Sequence, residues 1–142
     1  MSKARASRSP GGRAASGRVV VAEKTPARKP TKQDDEAAVL ARIAAMPAPF
    51  RAMGERLHAI ILRSAPALRP KLFYGMPGYA KEGPVVCFFR PDKFMTFGLT
   101  DKANFAPEEG APDQLMPCAW YFTALDDATE ARVAAIVDRA AG

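Results

Sequence analysis

At Lys71 the hydrophobic rhythm of this chain changes. Before it, Val39, Leu40, Ile43 and Met46 recur every three or four positions, and so do Phe50, Met53, Leu57, Ile60 and Ile61. That spacing places apolar side chains on one face of a helix. Pro47 ends the first helix, and Pro66 stops the second. Only two or three residues join them, so the two helices are expected to form a hairpin. Asp34, Asp35 and Glu36 open the first helix, where acidic groups suit the positive end of the helix dipole, and Thr31 three residues before Asp34 has the spacing of a helix start.

After Lys71 the period falls to two. Residues 71–74 and 78–80 read as short strands on either side of Gly75-Met76-Pro77. Residues 85–89 are an uninterrupted apolar run with β-branched and aromatic members, the composition of a central strand. Arg90-Pro91-Asp92-Lys93 follows as a tight turn, with proline suited to its second position. Residues 94–100 then alternate, Met95, Phe97 and Leu99 on one face and Phe94, Thr96 and Gly98 on the other. Residues 85–100 are therefore expected to form a β-hairpin. Residues 101–116 are a long polar connection, and residues 117–123 a last strand. A final helix opens at Asp127 with Glu130 at capping-box spacing, and its inner face is Val133, Ile136, Val137 and Ala140.

Strands grouped between helices give an α+β class, not an alternating α/β one. The expectation is a two-layer fold, with an N-terminal helical hairpin and a C-terminal helix packed on a mostly antiparallel sheet of about five strands. The chain of 142 residues fits one domain, and its charge is divided unevenly along it. Residues 1–33 carry nine Lys or Arg and one acid, Glu23, a net +8; residues 34–142 carry twelve basic and fourteen acidic residues, a net −2. Residues 1–33 are rich in Pro, Gly, Ser and Ala and are expected to be a disordered basic tail. The domain is residues 34–142. A basic-patch argument for nucleic acid applies to the tail, which could bind nucleic acid nonspecifically, and not to the domain.

No apolar run approaches the ~20 residues that a membrane span needs, and the N-terminus lacks the apolar core of a secretory signal. A cytoplasmic protein is expected, with no membrane partner. Cys87 and Cys118 are too few for a disulfide scaffold and are read as buried free thiols.

Tyr74-Gly75-Met76-Pro77-Gly78-Tyr79, followed by an aromatic hairpin and then by a strand running into Leu125-Asp126-Asp127 and a terminal helix, resembles the YdhG-like family of bacterial proteins, a domain of unknown function. The resemblance covers residues 34–141. It implies helices packed on a curved antiparallel sheet. Some relatives are described as frataxin-like, and one is proposed as an intracellular iron chaperone, so iron enters as a cofactor by family analogy only. The family supplies no agreed catalytic residues.

The candidate ligand-binding residues are Tyr74, Gly75, Met76, Pro77, Tyr79 and Trp120. Glycine permits close backbone approach and proline fixes the bend, and two tyrosines beside them offer flat faces with hydroxyls, a mixture that suits a pocket. The alternative is a bend whose aromatic rings fill the core. Trp120 and Phe122 alternate with Tyr121, so one side of this strand is core and the other is an aromatic platform, a dimer contact or simply one amphipathic surface tyrosine. Carboxylates suit loosely held iron and cluster at Asp34, Asp35 and Glu36 and at Glu108, Glu109 and Asp113; a solvated helix start and a solvated loop explain both groups. His58, the one histidine, reads as a flanking residue of its helix. One histidine without a positioned nucleophile is no triad, and the cysteines form no CxxC pair. The sequence thus points to a non-enzymatic binding domain for a small ligand, metal or partner, monomer or weak homodimer. An iron chaperone and a nucleic-acid-associated protein acting through the tail are the alternatives.

Overall fold

Thr31 caps the first helix reciprocally: its hydroxyl accepts from the Asp34 N–H (3.1 Å), and the Asp34 carboxylate accepts from the Thr31 N–H (2.9 Å). Two orphan donors of the helix start are satisfied at once. The computed structural model describes residues 31–142, and the basic tail up to residue 30 lies outside them. Helix α1 (Lys32–Ala44) follows this cap, so it starts two residues before Asp34. Val39 and Ile43 are buried, with Met46 just beyond the helix, whereas Leu40, at the edge of the stripe, is 45% exposed.

Helix α2 (Phe50–Ser64) buries Met53, Leu57, Ile60 and Ile61, the stripe its sequence spacing required. Then come β1 (Arg69–Pro70), β2 (Gly78–Ala80), β3 (Val85–Pro91), β4 (Met95–Leu99), β5 (Ala119–Phe122) and α3 (Asp127–Ala141). The five strands form one antiparallel meander in the order β1-β2-β3-β4-β5. The architecture is α+β, as the period change at Lys71 required. The β3–β4 hairpin pairs Phe89 with Phe97 and Pro91 with Met95.

The core lies between the sheet and the helices. Leu57, Ile60 and Ile61 of α2 and Val133, Val137 and Ala140 of α3 meet Tyr79, Cys87, Phe89, Met95 and Phe97 of the sheet. Each Val, Leu, Ile, Phe or Met among them, fully buried, is worth roughly 1.5–3 kcal/mol relative to exposure. α2 packs chiefly against α3, and Arg56 on α2 clasps Glu130 on α3 through two bonds, Nε to Oε2 (2.7 Å) and Nη2 to Oε1 (2.8 Å). That pairing holds the Glu130 carboxyl below its ordinary value and the Arg56 guanidinium above its own.

Four local expectations are corrected. Arg90 and Pro91 are not turn but strand, paired with Thr96 and Met95, so the reversal starts at Asp92. Residues 71–74 are not a strand: pairing falls on Arg69 and Pro70, and the chain then turns tightly at Tyr74-Gly75. Glu130 is not a capping-box partner of Asp127. The cap is Asp126, whose carboxylate accepts from the Thr129 N–H (2.8 Å), while Glu130 is held by Arg56. The last strand is shorter than residues 117–123 and covers Ala119–Phe122.

Candidate functional site

Two residues reverse the chain between β1 and β2. The Phe73 N–H donates to the Met76 carbonyl (2.8 Å) and the Met76 N–H returns a bond to the Phe73 carbonyl (2.9 Å). The residues between them, Tyr74 and Gly75, have φ of +50° and +79°. Two positive φ values in a two-residue loop match the right-handed twist of the flanking backbone, and Asn-Gly is the usual occupant. Glycine meets this demand freely. A tyrosine does not, because its Cβ crowds the neighbouring carbonyl at positive φ.

Neighbours fix the turn. The Arg42 Nε, from the last turn of α1, donates to the Gly75 carbonyl at 2.7 Å. Tyr74 packs edge-to-face on Phe73 (4.6 Å between centroids), and Phe73 lies against Phe88 of β3 (5.1 Å). Two glycines make this stack fit. A Cβ at Gly98 would meet the Phe88 ring at 2.7 Å, and one at Gly78 would lie 2.6 Å from the Lys71 carbonyl and 2.9 Å from the Phe73 Cβ.

The turn forms one wall of a cleft of about 420 Å³, whose lining includes Arg42, Met46, Tyr74, Met76, Pro77 and Arg90. This volume lies within the ~300–1,000 Å³ common for small-ligand sites. Met46 and Pro77 are buried and form apolar floor, while Tyr74 stands 88% exposed on the rim. Two guanidiniums line the cleft and no carboxylate does.

Of the residues singled out from sequence, Tyr74, Gly75, Met76 and Pro77 therefore share one site, and Tyr79 and Trp120 do not. Tyr79 is fully buried and stacks on Phe89 at 6.0 Å. The physical reason is the bend itself, which lifts Tyr74 out to solvent and then returns the chain to the sheet with Tyr79 facing the helices. Trp120 is on β5, at the other side of the sheet from β1 and β2. It packs against Phe97 (6.0 Å) and lines two hollows beside α3, of about 200 and 330 Å³. Charges of both signs line the smaller one, Glu108 and Glu109 with Arg132 and Arg139. On the opposite face of β5, Tyr121 (67% exposed) pairs with Phe94 (37% exposed) at 6.1 Å, and the Lys93 ammonium lies over the Phe94 ring.

His58 is not merely a flanking residue. Its side chain is only 14% exposed, its Nδ1 lies 2.8 Å from the Tyr79 hydroxyl, and its Nε2 lies 3.8 Å from Glu36 Oε2. His58 Nδ1 and the Tyr79 hydroxyl share one hydrogen bond, whose direction follows the tautomer of the ring. Burial lowers the His58 pKa and outweighs the opposing pull of Glu36. Burial likewise drives the Tyr79 hydroxyl far above its usual range, with Cys87 and Glu36 adding to the rise. Cys87 is a buried thiol, pushed up to about 12 by desolvation, but Cys118 is exposed, contrary to expectation, because it precedes β5 at the end of the long connection.

Sequence reasoning missed Arg42, Arg90 and the His58–Tyr79 pair. The one local signal is the place of Arg42 in the last turn of its helix, where a cation suits the dipole whatever else it binds. Among the described residues no three His, Cys, Asp or Glu side chains converge as a metal site would require, the two carboxylate clusters included. Nor is any described helix long and apolar enough to cross a membrane. No protein-family model, curated protein or solved structure matches the chain.

Proposed function

We propose that this YdhG-like domain is a non-enzymatic binding module that holds a small ligand in the cleft between the end of α1, the Tyr74-Gly75 turn and the end of β3. One observation carries the reading. A bulky residue, Tyr74, is kept at positive φ on the cleft rim while its ring gains almost no burial there. Such backbone strain costs about 1–3 kcal/mol and collects at ligand clamps and other functional positions. The edge-to-face contact with Phe73 returns only about 0.5 kcal/mol of it at this exposed position, and contact between the ring and a bound molecule would offset the rest.

The supporting chemistry is local. Met46, Met76 and Pro77 give an apolar surface with adaptable methionines, Tyr74 gives a flat face, and Arg42 and Arg90 give polar anchors. The smaller Trp120 hollow supports the reading less well, since at 200 Å³ it lies below the usual range for ligand sites and its charges offset one another.

A fragment titration followed by ¹H–¹⁵N correlation spectra tests the reading. Small aromatic fragments should move the amides of Tyr74, Gly75 and Met76 before others, and Tyr74→Ala should abolish those shifts while leaving the rest of the spectrum unchanged. Shifts that survive Tyr74→Ala, or that cluster at Trp120 instead, would overturn it.

A further inference from the structure

We infer that the ligand of this cleft is an oxyanion, a carboxylate or a phosphate carried on a flat apolar body; this rests on the cleft reading above. The inference comes from charge. Residues 34–142 carry more acids than bases, fourteen against twelve. Yet Arg42 and Arg90 both line this one cleft, and neither an Asp nor a Glu does. Chance placement on a slightly acidic domain does not favour such local excess.

The state of the two guanidiniums adds to this. Arg42 spends its Nε on the Gly75 carbonyl, a neutral acceptor. That bond fixes the plane of the guanidinium and leaves its Nη groups for another partner, with no ion pair to Arg42 among the described residues. Arg90 has a carboxylate nearby, but the Asp92 Oδ2 is 3.5 Å from its Nη2, and both side chains are about half exposed or more. A charge-assisted bond closes to about 2.7–2.9 Å, so this contact is loose and yields to a better acceptor. Planar forks of this kind match the two oxygens of a carboxylate or phosphate.

The rest of the cleft sets what must be attached to the anion. Tyr74 leaves most of its ring open to solvent, held edge-to-face by Phe73. Met46, Met76 and Pro77 add apolar floor. An aromatic acid or an aryl phosphate meets all of these groups together, whereas inorganic phosphate reaches only the arginines.

The test uses four probes on the full chain in low salt: phenyl phosphate, benzoate, inorganic phosphate and benzyl alcohol. Binding is read from the amides of Gly75 and Met76 and from the Nε–H signals of Arg42 and Arg90. Phenyl phosphate or benzoate should bind at least ~10-fold more tightly than either benzyl alcohol or inorganic phosphate, since charge and flat surface each contribute. Raised salt should weaken that binding. Arg90→Gln, at an exposed side chain, should reduce it ~10-fold with the fold intact, and Arg42→Gln should reduce it at least as much, since it also removes the Nε bond to the Gly75 carbonyl.

If benzyl alcohol binds in the cleft as tightly as the charged probes, the cleft stands and the oxyanion inference falls. It falls equally if both arginine variants bind phenyl phosphate like the parent. If none of the four probes moves a cleft signal, the inference fails together with the cleft reading.

Discussion

Replacing Tyr74 separates the cost of its backbone from the worth of its ring. Tyr74→Asn and Tyr74→Val delete the same aromatic side chain, which is already 88% exposed and whose main contact is the edge-to-face pair with Phe73 at 4.6 Å. Both lose that contact, about 0.5 kcal/mol at so exposed a site. They differ in what φ +50° demands. Left-handed backbone costs a residue with an ordinary Cβ about 1–2 kcal/mol, and more trouble for a β-branched one, whereas asparagine visits it readily. Asn-Gly is also the favoured pair for this kind of loop. The asparagine variant should therefore equal or slightly exceed the parent in stability and exceed the valine variant by about 1–2 kcal/mol. In a domain of this size that is a difference of roughly 5 °C or more in Tm. Thermal unfolding by circular dichroism reads it directly. Both variants should lose fragment binding. Equal Tm values for Asn and Val, or an asparagine variant several degrees below the parent, would refute the claim that strain is held at this turn.

Other outcomes follow from the same geometry. Gly98→Ala drives a methyl group into the Phe88 ring and should cost about 1–3 kcal/mol; because Phe88 carries Phe73, which carries Tyr74, it should also shift the Tyr74 amide. Gly78→Ala meets a backbone carbonyl and not a movable ring, so it should be the costlier of the two in urea unfolding. The folded-state pKa of His58 is depressed by burial, so the unfolded chain binds more protons between the two values. Its contribution is then present above pH ~6.5 and is lost as pH falls through the folded pKa. A pH series of Tm should show that acid limb and His58→Gln should flatten it. Tyr79→Phe leaves the His58 Nδ1 without its 2.8 Å partner and should cost about 1–3 kcal/mol. Iodoacetamide should label Cys118 in the native protein and spare Cys87, whose thiol is buried and pushed up to about 12.

The parts of this fold that could be read from sequence are those in which a single face is buried over many residues. The α2 stripe from Met53 to Ile61 and the Phe89–Phe97 hairpin are examples, since each repeats one physical demand until the pattern is unambiguous. β1 has only two residues, one a proline, and cannot establish a period. The Tyr74-Gly75 turn lacks the Asn-Gly signature, so residues 71–74 looked like strand although the loop geometry is that of a hairpin. The same turn decides which tyrosine is buried, and alternation cannot be counted through it. As for the cleft, the sequence places Tyr74 to Pro77 side by side on one wall of it but gives no sign of the arginines. Arg42 and Arg90 come from a helix and a strand that only tertiary packing brings to one cleft. His58 and Tyr79 meet for the same reason, and nothing in the spacing of a lone histidine reports its partner.

In the proposal, the strained Tyr74 turn and the two arginines form one ligand site. Crystals of the domain soaked with a panel of small aromatic acids and neutral aromatics test it most directly. Density for an acid is expected in the cleft, its ring against Tyr74 and its oxygens on Arg42 and Arg90. Density that gathers instead in the hollows beside Trp120, with the cleft empty across the panel, would contradict it.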